Sequence, residues 1–192
     1  MLHEYEEYSK DTEGETNAHY SVKEYKVYHG HYNSIGAHRY LERGKEKGVH
    51  KDNYNVIKGV RENLPISKMI MGTQGNGNTK KEDLNQYVAM KWALMTGGVN
   101  HIDTSNLFRE NRSELVVGAV LRTLIERYGF AREEFFINSK FGCISNDSYD
   151  RIPHELQVEE LIATGKVEYE DFFNGRYSLH PNFLDHSLTQ TL

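Results

Sequence analysis

The sequence has 192 residues and a formal net charge of −5 at pH 7, and 38% of its residues are hydrophobic. An acidic chain is not typical of proteins that bind nucleic acid or anionic lipid, because both ligands are bound through clustered Lys and Arg. No apolar run approaches the roughly 18 residues of a membrane span. Its single cysteine, Cys143, can form no disulfide within the chain, which is typical of a reducing compartment. We therefore expect a soluble cytoplasmic protein without nucleic-acid or membrane partners.

Residues 1–63 form a polar, tyrosine-rich extension. Eight of the 13 tyrosines lie in residues 1–64, where there is no proline and little aliphatic side-chain area to offset chain entropy. Because Tyr offers rigid contact area with a polar tip, it is favoured at interfaces. We expect this extension to be an irregular arm that contacts other proteins of a larger assembly, cytoskeletal or otherwise; packing over its own domain is the alternative.

From residue 64 onward, short apolar runs alternate with amphipathic stretches. The runs at 68–73, 99–104 and 135–140 predict three strands. Between the first two, Thr79 and Glu82 form a capping box that begins a helix, and the second helix begins at Asn111 or Ser113 and ends near Gly129. The order β-α-β-α-β at these separations predicts a parallel sheet with right-handed crossovers, and therefore an α/β fold.

The helical spacing predicts which side chains face the core. In the first helix the predicted apolar face consists of Leu84, Val88, Trp92 and Met95. In the second helix it consists of Val117, Leu121, Leu124 and Tyr128. We interpret both faces as core and assign them no cofactor role.

A helical insert is predicted at about 143–180, after the third strand. Pro153 suits the first turn of a short helix and Gly165 its end. His180 and Pro181 then lead into a further helix, in which the sequence ends at Leu192.

Two chemically useful residues are predicted at the ends of neighbouring strands. Asp103 ends the second strand and Lys140 the third. In parallel β/α architectures reactive residues collect at the C-terminal ends of strands, so this carboxylate and ammonium are candidates for a site; a structural ion pair is the alternative.

These residues lie within strings that resemble a known family. VNHIDTSNLFRENRSELVVGAVL at 99–121 and EEFFINSKFG at 133–142 look like the aldo/keto reductase signature, in which Asp-Thr ends strand two and Lys ends strand three. RIPHELQVEELIATGKV at 151–167 and HPNFLDHSL at 180–188 resemble a eukaryotic branch with a helical insertion after strand three. The resemblance spans residues 64–192.

The resemblance implies a (β/α)₈ TIM barrel in which NADPH gives hydride to a carbonyl and a tyrosine, tuned by Lys and Asp and helped by a His from strand four, gives the proton. Asp103 and Lys140 match the family's Asp and Lys, whereas Phe108 stands in place of the tyrosine. Because a complete barrel needs about 250 residues, residues 64–192 are expected to form a partial barrel of about three βα units, with strand four and its His beyond Leu192.

No cofactor-binding residue or metal site is assigned. The resemblance implies NADPH, but in such barrels the phosphate loops follow strands seven and eight. Gly75-Asn76-Gly77 lacks the third glycine of the dinucleotide fingerprint. His29 and His31 offer two imidazoles without a third ligand.

Two functions remain open. Phenylalanine cannot protonate an alkoxide, and the loss of a positioned general acid typically slows a reaction by about 10²- to 10⁴-fold. The first hypothesis is a catalytically impaired reductase-like domain that acts as a structural or interaction component, through residues 1–63 and the open barrel edge. The alternative is a fragment of an active NADPH-dependent oxidoreductase that reduces aldehydes or ketones.

Overall fold

The computed structural model describes residues 28–58, 63–75, 77–96, 98–148 and 150–191. Backbone contacts divide the chain into two units, each of which is considered by itself. The first unit comprises 1–71, 79–101 and 116–136, and the second comprises 72–78, 102–115 and 137–192. Predictions that concern residues 1–27 fall outside the described part of the chain.

Five α-helices and five strands are found in the described residues. The helices are α1 (Ser34–Glu46), α2 (Lys80–Met95), α3 (Arg112–Tyr128), α4 (His154–Ala163) and α5 (Pro181–Thr191). The strands are β1 (Tyr54–Lys58), β2 (Asn63–Ser67), β3 (Ile70–Gly72), β4 (His101–Asp103) and β5 (Phe136–Asn138). Short 3₁₀ helices occur at Lys51–Asn53, Arg132–Glu134 and Tyr169–Asp171.

The predicted α/β fold with a parallel sheet is confirmed. Strands β3, β4 and β5 are neighbours in chain order, and α2 and α3 connect them. The three predicted strands all occur, although each is shorter than its apolar run. Within the described residues the strands do not close a barrel, which is consistent with the partial barrel that was predicted.

The start of α2 was predicted correctly, but its buried face was not. Thr79 Oγ1 accepts a hydrogen bond of 3.2 Å from Glu82 N, which is the N-cap half of the predicted capping box. Trp92, predicted as core, is 45% exposed, whereas Tyr87, Met90 and Leu94 are fully buried. The reason is chemical: the Tyr87 hydroxyl lies 2.8 Å from the buried Thr123 Oγ1, so the ring can be buried with its polar end satisfied.

In α3 the predicted core face is largely correct. Val117, Leu121 and Leu124 are all buried, and Gly129, at φ +67°, follows the last residue of the helix. Tyr128 is the exception, because 36% of its surface remains exposed.

The described part of the N-terminal extension packs within the first unit. Asn33 caps α1 by accepting a hydrogen bond of 2.9 Å from Gly36 N. Tyr40 of α1 is fully buried; its hydroxyl donates to the carbonyls of Leu94 and Val99, and its ring contacts Phe130 and Phe135. Contacts of residues 1–63 with other proteins, and the boundary at residue 63, stay predictions.

A hairpin and a buried ion pair complete the first unit. Strands β1 and β2 pair antiparallel from Tyr54 opposite Ser67 to Lys58 opposite Asn63. Glu134 is fully buried, and its Oε2 lies 3.0 Å from Arg43 Nε of α1. Arg43 also donates to Gly129 O and lies over the Phe130 ring, so one side chain of α1 makes an ionic, a polar and an aromatic contact.

The second unit has its own hydrophobic cluster, built around the predicted insert. Val158 and Leu161 of α4 pack with Phe183 of α5 and with Phe172, whose ring centroid lies 5.4 Å from that of Phe183. Pro153 occupies the N-cap position of α4, one residue before the first turn and without a side-chain capping bond, and Gly165, at φ +70°, follows the C-cap residue Thr164. In the part of the chain that the structure describes, no helix combines the length and apolar character needed to cross a membrane.

Candidate functional site

The two strand-end residues of the second unit meet as predicted. Asp103 is the last residue of β4, and Lys140 follows β5 by two residues. Lys140 Nζ donates to Asp103 Oδ1 at 2.9 Å, to Asp103 Oδ2 at 2.8 Å and to Thr104 O at 2.9 Å. Because an ammonium has three hydrogens, these acceptors satisfy its whole donor capacity.

A third polar residue orients the carboxylate. Asn138, the last residue of β5, donates from Nδ2 to Asp103 Oδ1 at 2.6 Å. The side chains of Lys140 and Asp103 remain 45% and 31% exposed. The pair is therefore ordered by several hydrogen bonds but remains accessible from solvent.

Phe108 covers one side of the ammonium. Its ring centroid lies 4.6 Å from Lys140 Nζ, within the range of a cation–π contact. The ring is half-buried, and phenylalanine carries no proton that it could give to a substrate. Around Lys140 the structure thus brings together a carboxylate, a carbonyl and a hydrocarbon ring.

The backbone after Phe108 adopts an uncommon conformation. Arg109, Glu110 and Asn111 have φ values of +55°, +52° and +72°, the left-handed region that non-glycine residues rarely occupy. One tertiary and one local bond hold this turn: Arg109 Nε donates to Gly77 O at 2.8 Å, and Asn111 N donates to Asn106 O at 2.9 Å. Such conformations persist where the surroundings over-determine them and are frequent at functional sites.

Sequence reasoning missed a set of buried hydroxyls beneath the site. Thr73 Oγ1 lies 2.9 Å from Thr104 Oγ1, Ser113 Oγ donates to Thr73 O at 2.7 Å, and Thr73 N donates to Asp103 O at 3.0 Å. These bonds connect the end of β3, the end of β4 and the start of α3. Only the position of Thr73 and Thr104 as the last residues of predicted strands could have indicated them.

Two charged donors at this edge are already hydrogen-bonded within the protein. A pyrophosphate needs backbone N–H groups at a helix start or cationic side chains directed at it. The hydrogens of Lys140 are committed to Asp103 and Thr104, and Arg109 Nε is committed to the Gly77 carbonyl. Gly77 has a φ of +110°, as a turn allows, and Asn76 lies outside the described residues.

The remaining candidates lie apart from these contacts. His180 Nδ1 accepts from Asn182 N at 3.3 Å at the start of α5, so it belongs to the turn before a helix, as predicted. Cys143 is 5% exposed, and burial raises the pKa of its thiol above the ordinary value, which disfavours the nucleophilic thiolate. His29 and His31 are exposed in the first unit.

Comparison with known proteins gives one match. Residues 68–174 match the model of the aldo/keto reductase family, a span that covers more than half of the chain and includes Asp103, Phe108 and Lys140. No curated protein and no solved structure matches the chain.

Proposed function

The chain belongs to the aldo/keto reductase family, and from this premise we propose that it carries a reductase-like domain whose carbonyl-reducing chemistry is impaired and that it acts as an interaction component of a larger assembly. The observation that carries the proposal is the contact of Phe108 with Lys140, at 4.6 Å from ammonium to ring centroid. By resemblance, a tyrosine stands at this position in active members and gives the proton.

The alkoxide that develops during carbonyl reduction needs a proton donor. Reduction of a carbonyl places negative charge on oxygen, and a positioned acid that supplies a proton accelerates such a step by about 10²- to 10⁴-fold. Phe108 supplies none. Lys140 Nζ already has three acceptors, in the two carboxylate oxygens of Asp103 and the carbonyl of Thr104.

Impaired reduction is also expected from what is known of the cofactor. The family generally uses NADP(H), and Lys140 Nζ and Arg109 Nε already have acceptors within the protein. The phenylalanine ring at position 108 removes one requirement of carbonyl reduction, whereas the folded surface remains available to partners. We propose residues 1–63 and the β5 edge of the sheet as partner-binding regions.

The test is a pair of measurements on the 192-residue chain. NADPH oxidation is followed by absorbance with a panel of aldehydes and ketones, and NADPH binding by quenching of the fluorescence of Trp92, the single tryptophan. We expect neither turnover nor saturable quenching. Phe108→Tyr restores a phenol beside Lys140, and we expect it to remain inactive as well; NADPH oxidation by either protein would overturn the proposal.

A second candidate function is supported by the intact Asp103–Lys140 pair. If the chain is a fragment of an active NADPH-dependent reductase of aldehydes or ketones, this pair is the part of the machinery that such an enzyme retains. Saturable quenching together with turnover by the polypeptide as the cell makes it would establish this alternative.

A further inference from the structure

The second unit carries a group of exposed apolar side chains close to Lys140 in sequence. Phe141, Phe173, Tyr177 and Leu179 are 51%, 72%, 48% and 82% exposed. Exposed Phe and Leu in such fractions are unusual when they are contiguous, and such patches commonly mark interaction sites. We refer to these four side chains as the aromatic surface.

A tight hairpin presents two of these rings. Asn174 and Gly175 have φ values of +53° and +66°, as a type I′ turn requires, and Arg176 N donates to Phe173 O at 3.2 Å. Phe173 and Tyr177 then exchange both backbone hydrogen bonds, of 2.7 and 3.1 Å. Residues opposite each other in an antiparallel pair project to the same face, so the two rings form one wall.

Backbone pairing also holds the segment that contains Phe141 against this hairpin. Ser178 N donates to Gly142 O at 3.1 Å, and Ile144 N donates to Arg176 O at 2.9 Å. This pairing connects the segment that contains Phe141 to the segment that contains Tyr177 and Leu179. Because backbone bonds hold the aromatic surface, little ordering is required when a ligand arrives, which favours binding.

The aromatic surface lines an open cavity of about 590 Å³. This volume is within the range of about 300–1,000 Å³ that is typical of ligand sites. Two carboxylates, Glu170 and Asp171, also line it. Asp171 Oδ2 accepts from Glu168 N at 2.8 Å, whereas Glu170 is exposed and has no ion pair with the described residues.

The aromatic rings and the neighbouring carboxylate indicate what kind of ligand the aromatic surface binds. Aromatic faces attract Lys and Arg cations, and a neighbouring carboxylate adds to that attraction. We propose that the aromatic surface binds a basic, apolar peptide segment of a partner protein, with a Lys or Arg side chain over the rings beside Glu170 and apolar neighbours against Phe173 and Leu179. This inference rests on the proposed interaction role and gives it a location and a partner chemistry.

Because of their net negative charge, residues 1–27 and a second copy of the chain are poor candidates for the segment that the aromatic surface binds. Residues 1–27 contain seven acidic and three basic residues, and the whole chain carries a net charge of −5. Neither residues 1–27 nor a second copy, both of which are acidic in total, therefore complements an acidic rim. A basic segment from a different protein does.

The experiment uses a labelled probe peptide, acetyl-Gly-Phe-Arg-Phe-Lys-Gly-amide with a fluorophore, titrated with the full chain and followed by anisotropy. In the matched peptide, citrulline and acetyl-lysine replace the two basic residues. We expect saturable binding of the basic peptide and at least about fivefold weaker binding of the neutral one. Binding should weaken as the salt concentration rises, because the ionic part is exposed.

Variants locate the site. Glu170→Gln should weaken binding about two- to fivefold, the range for an exposed ionic contact. Phe173→Ala should weaken it at least about fivefold, as truncation of an aromatic anchor does. The controls are Glu159→Gln and Leu156→Ala, exposed residues of α4 in the same unit, and both should bind as the wild type does.

Several outcomes would overturn the inference. They are equal binding of the basic and neutral peptides, no loss with Glu170→Gln or Phe173→Ala, and no binding at millimolar protein. Self-association that Phe173→Ala abolishes, in sedimentation experiments without any peptide binding, would assign the surface to a second copy instead. None of these results bears on carbonyl reduction, so the peptide experiment and the NADPH assay can fail separately.

Discussion

Lys140 Nζ lies 4.6 Å from the centroid of the Phe108 ring and also bonds both carboxylate oxygens of Asp103. The ring thus lies within cation–π range of an ammonium that the carboxylate holds in place. A hydroxyl added to that ring would be introduced into the field of a positive charge, and this relationship can be measured directly.

Phe108→Tyr should therefore give a phenol with a pKa below the ordinary value of about 10, because a nearby cation stabilises the phenolate. The measurement is the difference in absorbance at 295 nm between variant and wild type during alkaline titration. The same substitution with Lys140→Met should return the pKa to about 10 or above. An unshifted phenol in the presence of Lys140 would contradict the contact.

The Asp103–Lys140 pair should contribute little to stability. Both side chains are partly exposed, at 31% and 45%, and exposed ion pairs contribute about 0.2–1 kcal/mol. A double-mutant cycle of Asp103→Asn and Lys140→Met, with unfolding in urea, should give a coupling free energy in that range. A coupling near 3 kcal/mol would show that the pair behaves as a buried one.

Arg43→Met should destabilise the protein strongly and in a pH-dependent way. Burial raises the pKa of Glu134 above its ordinary value, and the Arg43 guanidinium opposes that rise. Without Arg43 the buried carboxylate lacks its closest cation, and removal of one partner of a buried pair costs on the order of 3 kcal/mol at neutral pH.

The sign of the pH dependence follows from the raised pKa. The folded variant binds the Glu134 proton more tightly than the unfolded chain does, so its free energy of unfolding falls as pH rises through the interval between the unfolded and folded pKa values. The difference from wild type should be smaller at pH 5 than at pH 7.5 in urea denaturation. Lys45→Met, at an exposed position of α1, should change stability by less than about 0.5 kcal/mol at both pH values.

Two helical glycines should respond to alanine in opposite directions. A Cβ at Gly36 of α1 would overlap the backbone carbonyl of Glu133, whereas a Cβ at Gly118 of α3 would meet no atom within 4 Å. Gly36→Ala should lower the free energy of unfolding by about 1–3 kcal/mol. Gly118→Ala should raise it by about 0.5–1 kcal/mol, because alanine is the better helix former. Stabilisation by Gly36→Ala in thermal unfolding would show that α1 is not packed against Glu133.

The sequence predicted those features that depend on local pattern. The strand that ends at Asp103 and the strand that precedes Lys140 were found from apolar runs, α2 from its Thr79 cap and α4 from Pro153 and Gly165. Their local signals were strong because dihedral preferences and capping act within a few residues. The meeting of Asp103 with Lys140 followed from strand order alone.

Features that depend on tertiary packing were not predictable. The face of α2 was misjudged because Tyr87 finds Thr123 through the fold, and no periodicity within α2 encodes that partner. The left-handed backbone at Arg109 and Glu110 has no local signal either, since it is held by bonds such as that to Gly77. The burial of Glu134 likewise depends on Arg43, which is 91 residues away.

The loop that carries Phe108 is held by its main chain, since Phe108 N donates to Ser105 O at 3.0 Å and Ser113 N to Phe108 O at 3.4 Å. A hydroxyl on the ring has no part in these bonds, so gaining or losing it leaves the architecture intact. Codons for phenylalanine and tyrosine differ by a single base. The phenol at this position can thus be gained or lost by one transversion in the gene while the main-chain bonds of the loop are kept.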